Sequence, residues 1–179
     1  METYRLVPHG SFMPLAIEGV SVHWVELPDG RLMLRFKVAG SGSLVIPPFK
    51  GRGRADDLWK ATCFELFLYD GEGRYREFNF SPSGQWAAWR FSGYRTGRED
   101  REPLTAPEII HDQGANMFTL TAFIAGAELE GAQMAAISAV LIEEGGRRPS
   151  YWALAHGKAE PDFHDPACFR IALPPRNTA

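Results

Sequence analysis

Several familiar protein classes are excluded by what this chain has little of. It carries 2 cysteines, Cys63 and Cys168, in 179 residues. That is too few for a disulfide-stapled scaffold; both fit as reduced thiols, and a single bridge between them is allowed but not required. No run of about 18 apolar residues is present, so no membrane-spanning helix is expected. Positive charge is not in excess: 19 Lys and Arg stand against 22 Asp and Glu, a net charge of −3. This gives no electrostatic footprint for nucleic acid or an anionic membrane surface. The local basic cluster of Lys50, Arg52 and Arg54 lies in a Gly/Pro-rich loop. Helix-period patterns, internal repeats, a phosphate loop of the G-x-x-x-x-G-K-[ST] type and a G-x-S-x-G nucleophile motif are all missing. The opening METYRLVPHG has no apolar stretch and contains Glu2, so the expectation is a cytoplasmic protein without a secretory signal.

What is present is alternation. Arg31 to Ala39 places Leu32, Leu34, Phe36 and Val38 on one parity and Arg31, Arg35 and Lys37 on the other, the period-2 signature of a half-buried strand. It follows a strand from Val20 to Leu27 and the turn Pro28-Asp29-Gly30. Further strands are expected at Glu108 to Asp112, Met117 to Ile124, Ala135 to Glu143, Tyr151 to His156 and Phe169 to Leu173, with a short helical turn within 125–132. Strands recurring at this spacing predict an all-β protein, a jelly-roll or immunoglobulin-like sandwich of antiparallel sheets. The length suits one domain over 1–179, with a core over about 20–173 and a tail at 174–179.

The clearest alternation spans two tandem hairpins between Asp57 and Arg95. A three-residue loop, Gly71-Glu72-Gly73, pairs Tyr69 with Tyr75, Phe67 with Glu77 and Glu65 with Asn79. The turn Ser81-Pro82-Ser83-Gly84 then pairs Asn79 with Ala87 and Glu77 with Trp89. In this register Phe64, Leu66, Leu68, Phe78, Phe80 and Trp86 share one face, which serves as core. Glu65, Glu77, Asn79 and Trp89 share the other, within about 5 Å across each directly opposed pair. A one-residue slip would mix the two sets, so the odd loop is the consistent choice. Carboxylates, an amide and aromatics on a face the core does not need form a candidate binding surface.

The segments LWKATCFELF, YREFNFSPSGQWAA, SYWALAH and PDFHDPACF resemble those of DOMON-like domains related to family 9 carbohydrate-binding modules, over roughly Trp24 to Leu173. The resemblance implies a β-sandwich whose concave face binds sugars, or haem in some branches. On it, Trp59 would stack against a sugar ring, Glu65 would accept from its hydroxyls, Asn79 would be an amide partner and Trp152 the second stacking tryptophan. This chain departs from the family core at Thr62, where an aspartate is usual, and at Tyr69, with Asp70 one residue late. Ligand identity is therefore left open.

The residues support a sugar independently. Tryptophan and tyrosine faces meet the C–H face of a pyranose, and carboxylates and amides meet its hydroxyls. The ligand-binding set is Trp59, Glu65, Glu77, Asn79, Trp89 and Trp152. The competing reading covers this face with a loop or the N-terminal segment, makes Trp59 and Trp89 core, and pairs Glu65 and Glu77 with Arg74, Arg76 or Arg90. His156, Asp162 and His164 could supply three metal ligands, although their spacing matches no recognised pattern and Asp162 equally suits a loop-fixing turn. A haem would need an axial pair, and Met33, Met117 and Met134 find no histidine partner. Glu65 and Glu77 as acid and base would make a glycoside-active enzyme, and the face could instead dock a protein. The expectation is a non-catalytic module for a sugar-like small molecule, with no catalytic residue and no cofactor assigned, and with oligomeric state open.

Overall fold

Strand β3 (Arg31–Ala39) forms where its alternation places it, with Leu32, Leu34, Phe36 and Val38 fully buried. β2 (Gly19–Glu26) pairs antiparallel with it, because Pro28-Asp29-Gly30 turns the chain with Gly30 at φ 83°. Beyond β3 lie β10 (Met117–Ala125) and β9 (Glu108–Gln113), joined in antiparallel register. The structure is a computed structural model and describes residues 1–176. The remaining strands are β4 (Gly53–Arg54), β5 (Cys63–Gly71), β6 (Arg74–Phe80), β7 (Gln85–Phe91), β8 (Glu99–Asp100), β11 (Met134–Glu143), β12 (Arg148–Ala153) and β13 (Ile171–Ala172). Only short 3-10 turns interrupt the strands among the described residues, one of them at Gly126–Leu129. The protein is all-β.

β1 (Glu2–Pro8), a strand not expected from the sequence, joins the two halves of the sheet. Its residues Glu2 to Leu6 pair with β2, and Val7 and Pro8 then pair with β12. The hydrogen-bonded order is β4-β7-β6-β5-β11-β12-β1-β2-β3-β10-β9, so one sheet curls over and its halves face each other. Phe64 of β5 lies 4.9 Å from Phe36 of β3 and 6.0 Å from Phe118 of β10, ring centre to ring centre. The shared core also takes Leu6 and Ile17, so it begins earlier than the expected boundary near residue 20. Beyond β13, Arg176 meets Glu26 at 2.5 Å, and 177–179 lie outside the described residues.

The tandem hairpins take the register derived from parity. Tyr69 pairs with Tyr75, Phe67 with Glu77 and Glu65 with Asn79, then Asn79 with Ala87 and Glu77 with Trp89. The first loop differs in detail. Gly71 pairs with Arg74, and the extra residue is a bulge between Tyr69 and Gly71. Glu72 and Gly73 both have positive φ, 54° and 84°, as a two-residue I′ turn demands. Two loop residues plus one bulged residue preserve the odd count, so the faces stay in phase. The bulged Asp70 turns its carboxylate onto Arg76 at 2.5 Å. At the second turn Gly84 has φ 86°, and a Cβ there would lie 2.7 Å from the Phe49 ring.

Candidate functional site

The outer face of β5, β6, β7, β11 and β12 carries a second cluster. Phe67, Tyr75, Ala87, Trp89, Phe91, Ala136, Val140 and Ala153 gather there with Phe163 and Cys168. The last two belong to segment 154–170, which crosses the face. It is fastened at Asp162, whose carboxylate accepts from Lys158 Nζ at 2.8 Å, Arg95 Nη2 at 2.8 Å and the Tyr94 hydroxyl. Burial alone would raise the Asp162 pKa, but these donors outweigh it and hold the carboxyl well below the usual range. Asp162 also accepts from the His164 amide at 3.1 Å. His9 accepts from the Ser11 amide through Nδ1, so its Nε2–H donates to the Lys158 carbonyl at 3.0 Å. The covering segment seats Phe169 against Phe67 and Tyr69, and leaves the neighbouring part of the face uncovered.

There a cavity of about 580 Å³ opens, within the usual ~300–1,000 Å³ of small-molecule sites. Glu65, Glu77, Trp89 and Val140 line its strand side, and Trp59 and Arg98 stand among its other walls. Glu65 is 3% exposed and Glu77 6%. Glu65 accepts from the Ser138 hydroxyl at 3.1 Å, and Glu77 from the Asn79 amide at 2.8 Å. Burial, followed by the Glu77 charge, pushes the Glu65 pKa well above the carboxylate range. Burial raises Glu77 to about 7, against the Asn79 hydrogen bond and the charges of Arg95 and Arg98. The arginines that the competing reading pairs with these carboxylates are engaged elsewhere: Arg74 with Glu72, Arg76 with Asp70 and Arg90 with Glu99.

His164 is oriented from behind. The Tyr75 hydroxyl accepts from the Arg95 amide at 3.1 Å and donates to His164 Nδ1 at 2.7 Å. The ring proton is thereby placed on Nε2, which faces Glu77 Oε2 at 3.7 Å. Burial and then the Arg95 charge depress the His164 pKa to about 4, so the ring is neutral near neutral pH.

Of the ligand-binding residues singled out from the sequence, Trp59, Glu65, Glu77 and Trp89 line this cavity, as does His164 from the candidate metal set. Their roles differ. Trp59 sits on the 3-10 turn Leu58–Lys60 and is 47% exposed, an open platform. Trp89 is 5% exposed, with the Arg54 and Arg98 guanidinium groups 5.8 and 5.7 Å from its ring centre; it is a packed wall. Asn79 is fully buried and does not line the cavity; it orients Glu77 and accepts from Cys63 Sγ at 3.5 Å. Trp152 requires correction. It pairs with Ala139 and Pro8 in the strand ladders, and that parity sends its ring into the shared core with its Nε1–H on Ser150 Oγ at 2.9 Å. Thr62 fastens strands by donating to the Val45 carbonyl at 2.6 Å and accepting from the Ile142 amide at 3.2 Å.

His156, Asp162 and His164 do not come together around one point. His156 donates from Nε2 to the Val7 carbonyl at 2.9 Å, Asp162 serves as the fastening point and His164 faces Glu77. Among the described residues no cluster of three or more His, Cys, Asp or Glu is arranged to hold a metal ion. Residues missed from the sequence include Phe12, Tyr151, Phe163, Arg95 and Arg98. Parity could have assigned Tyr151 to the outer face; the loop residues carry no comparable signal.

The fold is shared with a protein of Bacteroides uniformis ATCC 8492 described as a "putative carbohydrate-binding protein". The likeness has a TM-score of 0.66 and covers 94% of this chain and 84% of that one, at 18% sequence identity. A carbohydrate binding module family 9 from Caldicellulosiruptor kristjanssonii, solved in complex with cellotriose, aligns over 96% of this chain and 84% of its own, with a TM-score of 0.47 and 11% identity. No protein-family model matches the chain, and no curated protein does.

Proposed function

We propose that this protein is a non-catalytic carbohydrate-binding module of the DOMON-like β-sandwich type, taking a small sugar or sugar-like molecule in the cavity above β5, β6 and β7. The observation that carries the reading is the pairing of Trp59, exposed beside the cavity, with Glu65 and Glu77, buried carboxylates that line it. A pyranose needs both an apolar surface for its C–H face and strong acceptors for its hydroxyls. Trp59 supplies the first and the glutamates the second, while Trp89 and Tyr151 contribute to the walls. The fold shared with the Bacteroides protein agrees with this reading.

The test is tryptophan fluorescence and calorimetric titration with a panel of mono- and disaccharides. Saturable binding to one sugar class, lost in Trp59→Ala while the thermal midpoint is nearly kept, is the expected result. Absence of binding across the panel would end the carbohydrate reading.

A further inference from the structure

Three other buried acidic side chains of this protein each meet at least two donors or cations. Glu143 accepts from the amides of Leu15 and Ala16, both at 2.8 Å, and from Ser43 Oγ at 2.9 Å. Glu128 meets Arg101 at 2.6 Å and the Leu104 amide at 2.7 Å. Asp162 holds two cations and a phenol. The cavity pair is different. Glu65 has one neutral hydroxyl and Glu77 one amide. Among the described residues no lysine or arginine pairs with either, and the ring facing Glu77 is 3.7 Å away and neutral near neutral pH. Glu65 Oε1 and Glu77 Oε2 are thus left without a hydrogen-bond donor on side chains that are more than nine-tenths buried and line a cavity. Leaving buried carboxylates so poorly served is costly unless something from outside completes them.

We infer that the ligand carries a protonated amine, and that its ammonium is held by Glu65 and Glu77 together; within the carbohydrate reading, on which this rests, the ligand is an amino sugar. The two side chains rise from paired strands one diagonal step apart, a separation of about 7–8 Å between backbone positions that long side chains close. An ammonium offers three donors and a full positive charge, so one group can serve both carboxylates. A sugar hydroxyl offers one donor and no charge, and leaves the second carboxylate uncompensated.

A metal ion fits less well. Calcium takes about 6–8 oxygen ligands, and a catalytic or structural zinc takes at least about three protein ligands. The floor gives two carboxylates, and His164 already has one ring nitrogen engaged by Tyr75 and the other protonated. Arg95 and Arg98 also line the cavity. Arg95 is committed to Asp162, while Arg98 has no carboxylate partner among the described residues and lies beside Trp89. Positive walls around a negative floor favour a ligand with one amine over a linear polyamine.

The experiment compares matched probes by calorimetry near neutral pH: glucosamine, glucose and N-acetylglucosamine, the galacto equivalents of all three, and cyclohexylamine. The expected result is an amino sugar bound at least tenfold more tightly than its neutral and acetylated counterparts, with that preference lost in both Glu65→Gln and Glu77→Gln. Affinity for the amine in its protonated form should also rise as pH rises through about 7, where Glu77 loses its proton. The groups around the pair are His164, Arg95, Arg98, Cys63 and Tyr75; the last two keep their protons in this range, since burial raises Cys63 well above its usual value and Tyr75 to about 12. Neutral sugars binding as well as the amino sugar would overturn this inference and leave the carbohydrate reading standing. Cyclohexylamine binding as well as glucosamine, with no neutral sugar bound, would keep the amine and overturn the sugar. Silence of every probe would overturn both.

Discussion

The two faces of β5, β6 and β7 are buried to nearly the same degree and do different work. On the inner face Phe64, Leu66, Leu68, Phe78, Phe80 and Trp86 meet the opposite half of the sheet; on the outer face Cys63, Glu65, Phe67, Glu77, Asn79 and Trp89 meet a covering segment and a cavity. Trp86 and Trp89 are both 5% exposed. Depth of burial therefore does not separate core from site in this molecule. What separates them is whether the polar groups among the buried residues have found their partners inside the protein.

The inner face should show the largest effect on stability. Phe64 is fully buried between Phe36 and Phe118, and Phe64→Ala should cost about 3–5 kcal/mol. Urea unfolding would read this as a lower midpoint at unchanged slope. A cost below about 1 kcal/mol would mean that the two halves of the sheet are not packed as described.

The outer face should respond to pH instead. The raised Glu77 pKa means that the folded state holds this proton more tightly than the unfolded chain. Its contribution is complete below the unfolded value, near 4.5, and is lost as pH rises through about 7. Glu65 is raised as well and acts in the same direction. His164 runs the other way: its contribution is complete above 6.5 and is lost as pH falls through about 4. The two slopes oppose each other between these limits, and above about pH 6.5 only the glutamate loss continues. Urea unfolding across pH should show the wild type losing on the order of 2–3 kcal/mol relative to Glu77→Gln as pH rises from about 4.5 to about 7, the span between the unfolded and folded values. A variant that keeps the full wild-type decline would show that Glu77 is ionised in the fold at all these pH values.

Below both of these in expected effect stands the fastening of the covering segment. Asp162→Asn weakens bonds to Lys158, Arg95 and Tyr94, and about 1–2 kcal/mol should be lost, discounted because Lys158 and Arg95 are largely exposed. Amide hydrogen exchange should quicken over 154–165 and stay unchanged in β2 and β3. Uniform quickening would mean that the segment does not open on its own.

How much of this was legible follows the same division. Strand parity placed Glu65, Glu77 and Trp89 on one face because alternation is a local property, and the odd residue count between Tyr69 and Tyr75 kept the register even though the turn proved to be a two-residue loop with a bulge. Parity also assigned Trp86 to the core. It could not say that Asn79 would be hidden behind Glu77, since that depends on side-chain direction rather than face. Trp152 was misplaced because a strand apolar on both sides gives no alternation to read, and the family pattern was followed instead. β1 was missed since Glu2–Pro8 mixes polar and apolar residues without a turn signal before it. Segment 154–170 offered only its aspartates as turn formers; that it would cross the outer face and leave a cavity beside Glu77 is a long-range outcome.

The smallest stability effect belongs to the residue with the largest expected effect on binding. Trp59 lies half exposed on a turn, with Lys60 5.7 Å from its ring centre, and outside both core clusters. Trp59→Ala should change stability by less than about 0.5 kcal/mol while removing a stacking surface worth about 1 kcal/mol or more to a bound ring. The contrast with Trp86 sharpens this. Trp86→Ala should cost about 3–5 kcal/mol and disturb binding only through the fold. Measuring unfolding and sugar affinity for both variants separates a platform from a packing residue. If Trp59→Ala unfolded the protein, or bound sugar as the wild type does, the open aromatic beside the cavity would have no part in recognition, and the acidic floor would have to carry it alone.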